Sequence, residues 1–576
     1  MKTLLTFIRP YKWLCLLTIL MTLLDVGGAL YIPTLTAEMI NIGVSSRDMQ
    51  LVLQKGVLML IAALAAGGGT LAGSWLCANI SSRMGRDIRN ALYDKTLTFS
   101  GTDFERFGAG SMITRTLNDI NIIQMAFVWT IQMILPVPIM CIMGSIMVLR
   151  IDRRMGLMLI GITALVLICS LFITTRAAAI FNRLQGFLDR INVVLRENIT
   201  GVRVIRAFNK ERHEEQRMRK TFEDYAEYSI RANRLFAGLE SLAMLMINLC
   251  IVGILWQGAD RVGAGYMEIG DITALTEYAI MILFYVVMSQ MVIMMLPRAV
   301  ICLQRVDAVL QHRPEITDST AAAVPGRQEE ICRFTDVSFR FADADEATLQ
   351  GLDFACRRGE TTAIIGSTGS GKSTIINLLL RFHEATSGCI SFGGQDIRDI
   401  PQQELRQRIA YVPQKAWLFS GTIAENLRYG CPDATDEQLR QALDTAQADF
   451  VYRLPGGLSA PVSQGGANLS GGQKQRLAIA RALLRRDADL FIFDDSFSAL
   501  DFRTEAALRR ALPACTRDAA VLIIGQRINS IRHAAQIIVL DDGRITGIGT
   551  HSELLHTCPI YHDIAESQAK GGAIDD

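Results

Sequence analysis

Long apolar runs dominate the first half of this sequence, and no other feature restricts its fold so severely. Six of them, at residues 13–40, 51–80, 126–149, 155–175, 235–258 and 272–297, reach or exceed the roughly 20 residues a helix needs to cross a bilayer. An even number of spans returns both chain ends to the same side. Composition agrees with a membrane protein: half of the 576 residues are apolar and 20% are charged, against about 25% charged in soluble domains. Mean hydropathy is +0.26. The formal net charge of +1 offers no electrostatic case for nucleic acid. Residues 1–12 are short and basic, and the apolar stretch after them is too long for the core of a cleavable signal.

Two connections between the runs are long. Residues 81–121 and 176–234 are rich in Arg and Lys and keep helical periodicity with charged faces. Together with Lys2, Arg9 and Lys12 they predict a cytoplasmic side that holds both termini, in a multi-pass protein of the cell membrane. Arg150, Arg153 and Arg154 oppose this, but one short loop is outweighed by two long ones. The twelve cysteines never form CxxC, and Cys141, Cys169 and Cys250 sit in apolar runs. They read as small buried hydrophobes, with no disulfide framework or zinc site.

The texture changes after Arg305. The polar, Ala-rich stretch 317–328 carries Pro325 and Gly326 and marks a boundary. Beyond it, β-type runs at 361–365, 490–493, 520–524 and 536–540 alternate with helical stretches, an α/β pattern with a largely parallel sheet. The division predicted is a membrane domain at 1–306 with two long cytoplasmic loops, a linker at 307–328 and a second domain at 329–576.

The second domain carries the chemistry. Gly366-Ser367-Thr368-Gly369-Ser370-Gly371-Lys372-Ser373, followed by Thr374, fits GxxxxGK[ST] and follows a predicted strand. Its glycines let backbone N–H groups wrap phosphates at the start of the next helix. Lys372 would reach the β- and γ-phosphates, and Ser373 would ligate Mg²⁺. The apolar run 490–493 ends in Asp494, a carboxylate able to hold Mg²⁺ through water. Alone that signal is weak, since many buried strands end in Asp. About 120 residues after a P-loop it is strong.

Leu469-Ser470-Gly471-Gly472-Gln473 resembles the signature motif of ABC ATPases, and Lys474, Gln475 and Arg476 extend the match. Phe341 stands where that family stacks an aromatic ring on adenine. Gln414, in Tyr-Val-Pro-Gln, resembles the Q-loop, and Ser498-Ala499-Leu500-Asp501 the D-loop. In the first half, residues 201–208 and the stretch around Phe104 and Phe107 look like the coupling helices of exporter-type ABC proteins. The resemblance covers the whole chain. It implies an all-α, six-helix transmembrane domain of the exporter type followed by an α/β P-loop ABC nucleotide-binding domain, with ATP and Mg²⁺ as cofactors. In the family two such domains meet head to tail, so that Ser470 and the glycine N–H groups of one face the ATP on the other's P-loop. A single chain completes neither site, and a partner is implied.

Two positions depart from the family pattern. Where a glutamate usually orients the attacking water, this chain has Asp495. Where a switch histidine follows the strand 521–524, it has Gln526, whose amide can donate a hydrogen bond but never becomes cationic. A milder change is Val462-Ser-Gln-Gly in place of an acidic stretch. The combination resembles one subunit of the heterodimeric multidrug exporters of Gram-positive bacteria, in which one ATP site is degenerate and the other hydrolyses. The implied function is ATP-driven export of amphipathic small molecules, drugs or lipid-like, in partnership with a different half-transporter and in contact with membrane lipid. Import of a siderophore or metal chelate by the same fold, and an ATP-gated regulator or channel, are the alternatives. Peptide export with leader cleavage is disfavoured, because residues 1–12 leave no room for a peptidase domain, and six spans exclude a soluble ABC protein.

Candidate substrate residues lie in the spans. Phe284, Met288, Met291 and Met295 recur at helical spacing, with Met281 earlier on the same run. Flexible, polarisable methionines suit a surface that re-packs around varied apolar ligands. The same spacing also suits a lipid-facing or helix-packing stripe. Asp25, in the first span, costs about 2.5 to 3.5 kcal/mol on insertion scales and is expected to face an interior cavity or to bond between helices.

Overall fold

A computed structural model describes residues 2–44, 48–317, 328–341 and 344–572, apart from some side chains within helices. It divides into two units, one of residues Met1–Thr98 with Phe107–Arg313, the other of Phe99–Arg106 with Pro314–Asp576.

The first unit is helical throughout, and its helices outrun a membrane. Met49–Leu97 has 49 residues, Arg153–Thr200 has 48 and Glu211–Gly263 has 53. At 1.5 Å per residue each is over 70 Å long, roughly twice the hydrocarbon core of a bilayer or more. The connections read above as long loops are therefore largely continuous helix. The reason is local: no proline interrupts 81–97, 176–200 or 211–234, and a helix satisfies its own backbone equally in lipid and in water. What remains between the long rods are short pieces, Gly101–Phe107 and Ala109–Thr114 in the first connection and Val202–Ala207 in the second.

Among the described residues five helical segments are long and apolar enough to cross a membrane: Thr3–Gly43, Met49–Leu97, Ala109–Ile151, Ser241–Gly263 and Ile269–Ser289. The run at 155–175 opens the helix Arg153–Thr200, but its side chains from 170 onward lie outside the described residues. Small residues let the first two long helices approach closely. A methyl at Gly69 would sit 2.9 Å from the Met21 carbonyl, and one at Gly28 3.0 Å from that of Ala62. The helix Ile269–Leu310 supplies much of the core through Leu275, Tyr278, Ile282 and Val286. The buried Tyr278 hydroxyl donates to the Leu30 carbonyl at 3.0 Å and lies 2.6 Å from Thr34 Oγ1.

In the second unit the strands run β1 (Glu330–Phe339), β2 (Leu349–Arg357), β3 (Thr361–Gly366), β4 (Ser387–Phe392), β5 (Gln395–Asp396) and β6 (Ile409–Val412). They continue as β7 (Gly421–Thr422), β8 (Pro461–Val462), β9 (Leu490–Asp494), β10 (Ala520–Ile524), β11 (Gln536–Asp541) and β12 (Arg544–Gly549). The main sheet has the order β12-β11-β3-β10-β9-β6, parallel except for β12. An antiparallel sheet β2-β1-β4-β5 packs beside it. β9 and β10 are buried at every residue, which is why they read as unbroken apolar runs. Phe491 and Phe493 face one core, Leu490 and Ile492 the other. All the parallel strands therefore end at one edge of the sheet, where Gly366, Asp494 and Ile524 lie.

The segment Phe99–Arg106 keeps company with this second unit. The Gly101 N–H donates to the Phe382 carbonyl at 3.2 Å, and Thr102 bonds Glu315. Ser100 and Asp103 close the start of the short helix, with the Ser100 N–H donating to Asp103 Oδ2 at 2.9 Å.

Candidate nucleotide site

The strand β3 delivers the chain into a loop that only glycine can make. A methyl on Gly366 would lie 2.0 Å from the Leu540 carbonyl oxygen. Gly369 and Gly371 have φ of +89° and +97°, where L side chains are strained. The helix Lys372–Leu379 starts directly afterwards, so its free N–H groups point back over the loop. Lys372 Nζ donates to the carbonyls of Gly366 at 2.9 Å and Ser367 at 2.6 Å, and to Ser370 Oγ at 3.3 Å. Burial holds this ammonium below the usual lysine range, against the pull of Asp495 and Asp494.

Around this loop opens a cleft of about 250 Å³. One wall is Thr368, Gly369, Gly371, Lys372, Ser373 and Thr374; the other is Gln414, Asp494, Asp495 and Gln526, from the ends of separate strands. Burial, reinforced by the neighbouring Asp495, raises the Asp494 carboxyl to about 6, while Tyr411 and Lys372 act the other way. The Ser373 hydroxyl, the Gln414 amide oxygen and the Asp494 carboxylate are all hard oxygen donors, and the adjacent acidic pair calls for a compensating cation. That set fits Mg²⁺ rather than a softer metal.

Asp495 is held from several sides. Its own backbone is left-handed, φ +44°, a conformation Asp tolerates better than most residues. Its N–H donates to the Ile524 carbonyl at 2.9 Å, and Ser498 Oγ donates to its carbonyl at 2.8 Å. Two amides converge on one carboxylate oxygen: Gln526 Nε2 donates to Asp495 Oδ2 at 3.2 Å, and Gln414 Nε2 at 3.4 Å. Burial nonetheless raises this carboxyl above its ordinary range, with the Gln414 bond opposing.

Other residues singled out from the sequence lie elsewhere. Phe341 is not among the residues that line the cleft; its ring meets Phe339 edge-on at 4.8 Å and His383 at 5.5 Å. Ser470, Gly471, Gly472 and Gln473 are also absent from its lining. Ser470 instead caps the helix Gly471–Leu483 in a reciprocal box: its Oγ accepts from the Gln473 N–H at 3.3 Å, and its N–H donates to Gln473 Oε1 at 2.9 Å. A methyl on Gly471 would meet nothing within 4 Å, whereas one on Gly472 would lie 3.0 Å from the Ala499 carbonyl. Asp501 caps the helix Phe502–Cys515 by accepting from the Thr504 N–H at 2.7 Å.

Some contacts around the site have no signal in the sequence. Thr348 lines the cleft, and Tyr411, three residues before Gln414, bonds Asp494. Gln475 Nε2 donates to the Pro413 carbonyl at 3.2 Å and so joins the Ser470 helix to the loop that bears Gln414. In the first unit Asp25 is half-buried and within electrostatic reach of Tyr285. Phe284 is exposed, Met288 and Met295 are half-buried, and the Met291 side chain lies outside the described residues.

Residues 15–287 match the family model of the ABC transporter transmembrane region, and residues 349–498 match the ABC transporter family model. An uncharacterized ABC transporter ATP-binding protein of Mycobacterium tuberculosis is 36% identical, over 98% of this chain and 98% of its own length. An ATP-dependent lipid A-core flippase of Chromohalobacter salexigens is 30% identical over 96% and 95%. A bacterial Atm1-family ABC exporter solved with ATP bound superposes with a TM-score of 0.81 at 26% identity, over 96% of this chain and 97% of that one. Taken with a P-loop cleft at the carboxyl edge of the sheet and a helical membrane unit before it, these matches place the chain in the ABC transporter family, as an exporter-fold membrane region fused to a transport-coupled ATPase domain.

Proposed function

We propose that this chain is the degenerate-site half of a heterodimeric exporter of amphipathic small molecules. It would bind Mg·ATP in its own cleft, hydrolyse it slowly, and lend its signature helix to the hydrolysing site of a different half-transporter. The observation that carries this is the pair of amides on Asp495 Oδ2. A base that orients water needs reach, and each hydrogen bond its carboxylate accepts makes it a weaker base. Asp495 is about 1.5 Å shorter than glutamate, and displacements of about 1 Å cost around a hundredfold. Gln526 meets it with an amide that carries no charge to developing phosphate oxygens.

The binding parts are otherwise complete. Lys372 can turn from its own loop carbonyls to phosphate oxygens, exchanging one set of acceptors for a charged one. The N–H groups before and within the helix Lys372–Leu379 supply the anion cradle. Ser373, Gln414 and Asp494 would hold Mg²⁺, which would offset the negative charge of the phosphates. Closure of the dimer on ATP, and reopening after hydrolysis at the partner's site, would alternate the access of a cavity between the spans. Asp25 and the stripe Phe284, Met288, Met291 and Met295 are the proposed lining. The lipid-like substrate named for the flippase relative supports an amphipathic cargo. Both termini and both ATP domains would be cytoplasmic, at the cell membrane.

The test is to purify the chain alone and together with a half-transporter encoded beside it, then compare ATP turnover per site. Low activity alone and high activity together are expected. Equal activity per site would overturn the heterodimer.

A further inference from the structure

The residue Gln526 is positioned from an unexpected direction, the C-terminal helix Pro559–Gly572. The Gln568 side chain on that helix makes two hydrogen bonds to the main chain around Arg527. Its Nε2 donates to the Gln526 carbonyl at 2.7 Å, and its Oε1 accepts from the Ile528 N–H at 2.8 Å. The second bond matters because the short helix Ile528–Ile531 has no side-chain cap of its own. One amide thus satisfies both backbone groups that flank Arg527, since an amide donates and accepts from one fork without carrying charge.

The arm that presents Gln568 is firmly seated. Tyr561 is fully buried, with its hydroxyl 2.7 Å from His551 Nδ1, and Cys558 and Leu554 are buried beside it. Ile564 and Ala565 pack on the same core. Tyr561, Ile564, Ala565 and Gln568 follow one another at three, four and seven residues and so share one face of the helix. Gln568 itself is exposed, so it contributes little to the core, and both of these side-chain hydrogen bonds go to the turn that carries Gln526. That turn leads straight into the Gln526 amide, which reaches Asp495 in the cleft.

We infer that Gln568 is a positioning residue of the nucleotide site: it clamps the turn bearing Gln526 and thereby sets how well this chain holds ATP. The inference rests on the reading of the cleft as the ATP site. Full-length chain in nanodiscs, titrated with trinitrophenyl-ATP and Mg²⁺, tests it in the variants Gln568→Ala, Gln568→Glu, Gln526→Ala, Lys372→Ala and the double variant Gln568→Ala/Gln526→Ala. Gln568→Glu keeps the shape and the bond from Ile528 but turns a carboxylate oxygen towards the Gln526 carbonyl. Both Gln568 variants should weaken binding by about threefold to tenfold, the scale of one or two hydrogen bonds, with the melting temperature unchanged. Because Gln568 acts through Gln526, the double variant should bind no more weakly than Gln526→Ala alone. Full affinity in Gln568→Ala beside weakened Gln526→Ala would overturn the clamp and leave the cleft reading standing, as would fully additive losses in the double variant. Full affinity in both Lys372→Ala and Gln526→Ala would overturn the cleft reading itself.

Discussion

The Gln526 amide donates to the Asp495 carboxylate across 3.2 Å, so two residues that depart from the family pattern in the sequence are partners in space. Gln414 donates to the same oxygen at 3.4 Å, so a short carboxylate and a neutral amide stand together at the cleft. The two departures therefore read as one change to the site rather than two.

The proposed degenerate site predicts asymmetry between the two ATP sites. In a complex with the partner half, Asp495→Asn should cost little turnover if, as proposed, chemistry at this cleft is already slow. Ser470→Ala should cost far more, about 2.7 to 4 kcal/mol of transition-state stabilisation if Ser470 donates to the partner's transferring phosphoryl group. Steady-state ATPase assays compare the two. Abolition of activity by Asp495→Asn alone, with binding and assembly intact, would contradict the degenerate site.

Rebuilding the pair should restore catalysis. Asp495→Glu adds the missing reach, and Gln526→His adds a group able to carry charge. Combined in the chain purified alone, they should raise ATP turnover by about tenfold or more, and each single change should give much less, since the residues act as a unit. Unchanged turnover at full ATP occupancy would place the defect elsewhere.

Asp25 offers a probe of the transport path. It is half-buried and within electrostatic reach of Tyr285, which follows the exposed Phe284. Asp25→Asn should reduce efflux of cationic amphiphiles while sparing neutral ones, because only the former gain from a carboxylate in low dielectric. Vesicle transport of a matched cationic and neutral pair reads this directly; equal rates for both would remove Asp25 from recognition.

Stability of the ATP-binding domain should depend on Asp489, just before β9. Burial would raise its carboxyl, but Arg408 and Arg358 outweigh that and hold it below the usual range. Arg358 Nη2 lies 2.9 Å from it. A depressed folded-state pKa contributes stability above the unfolded value near 3.9 and loses it as pH falls through the folded value. Asp489→Ala leaves two arginines facing each other and should cost about 3 kcal/mol at neutral pH. A scanning-fluorimetry melt of the full chain should show a lowered transition, with the gap from wild type closing in acid.

Much of this protein was readable in one dimension because the relevant physics is local. A bilayer demands a contiguous apolar run, so the spans announce themselves. The P-loop is one unbroken stretch from Gly366 to Ser373 whose backbone does the work, and the buried strands β9 and β10 are continuous apolar segments. The basic connections were recognisable as charged and helical, yet their merger with the spans into rods of 48 to 53 residues was not, since periodicity alone does not mark where a helix leaves lipid. Other relationships had no local trace. Gln414 and Gln526, 81 and 31 residues from Asp495, meet it only because β6, β9 and β10 lie side by side and end at one edge. Gln568 reaches the same turn from 42 residues beyond Gln526 because Tyr561 seats its helix in the core. The sequence by itself determined the spans, the strands and the phosphate loop, where one stretch of chain carries the whole signal; strand order and side-chain packing alone decided which distant groups share a hydrogen bond.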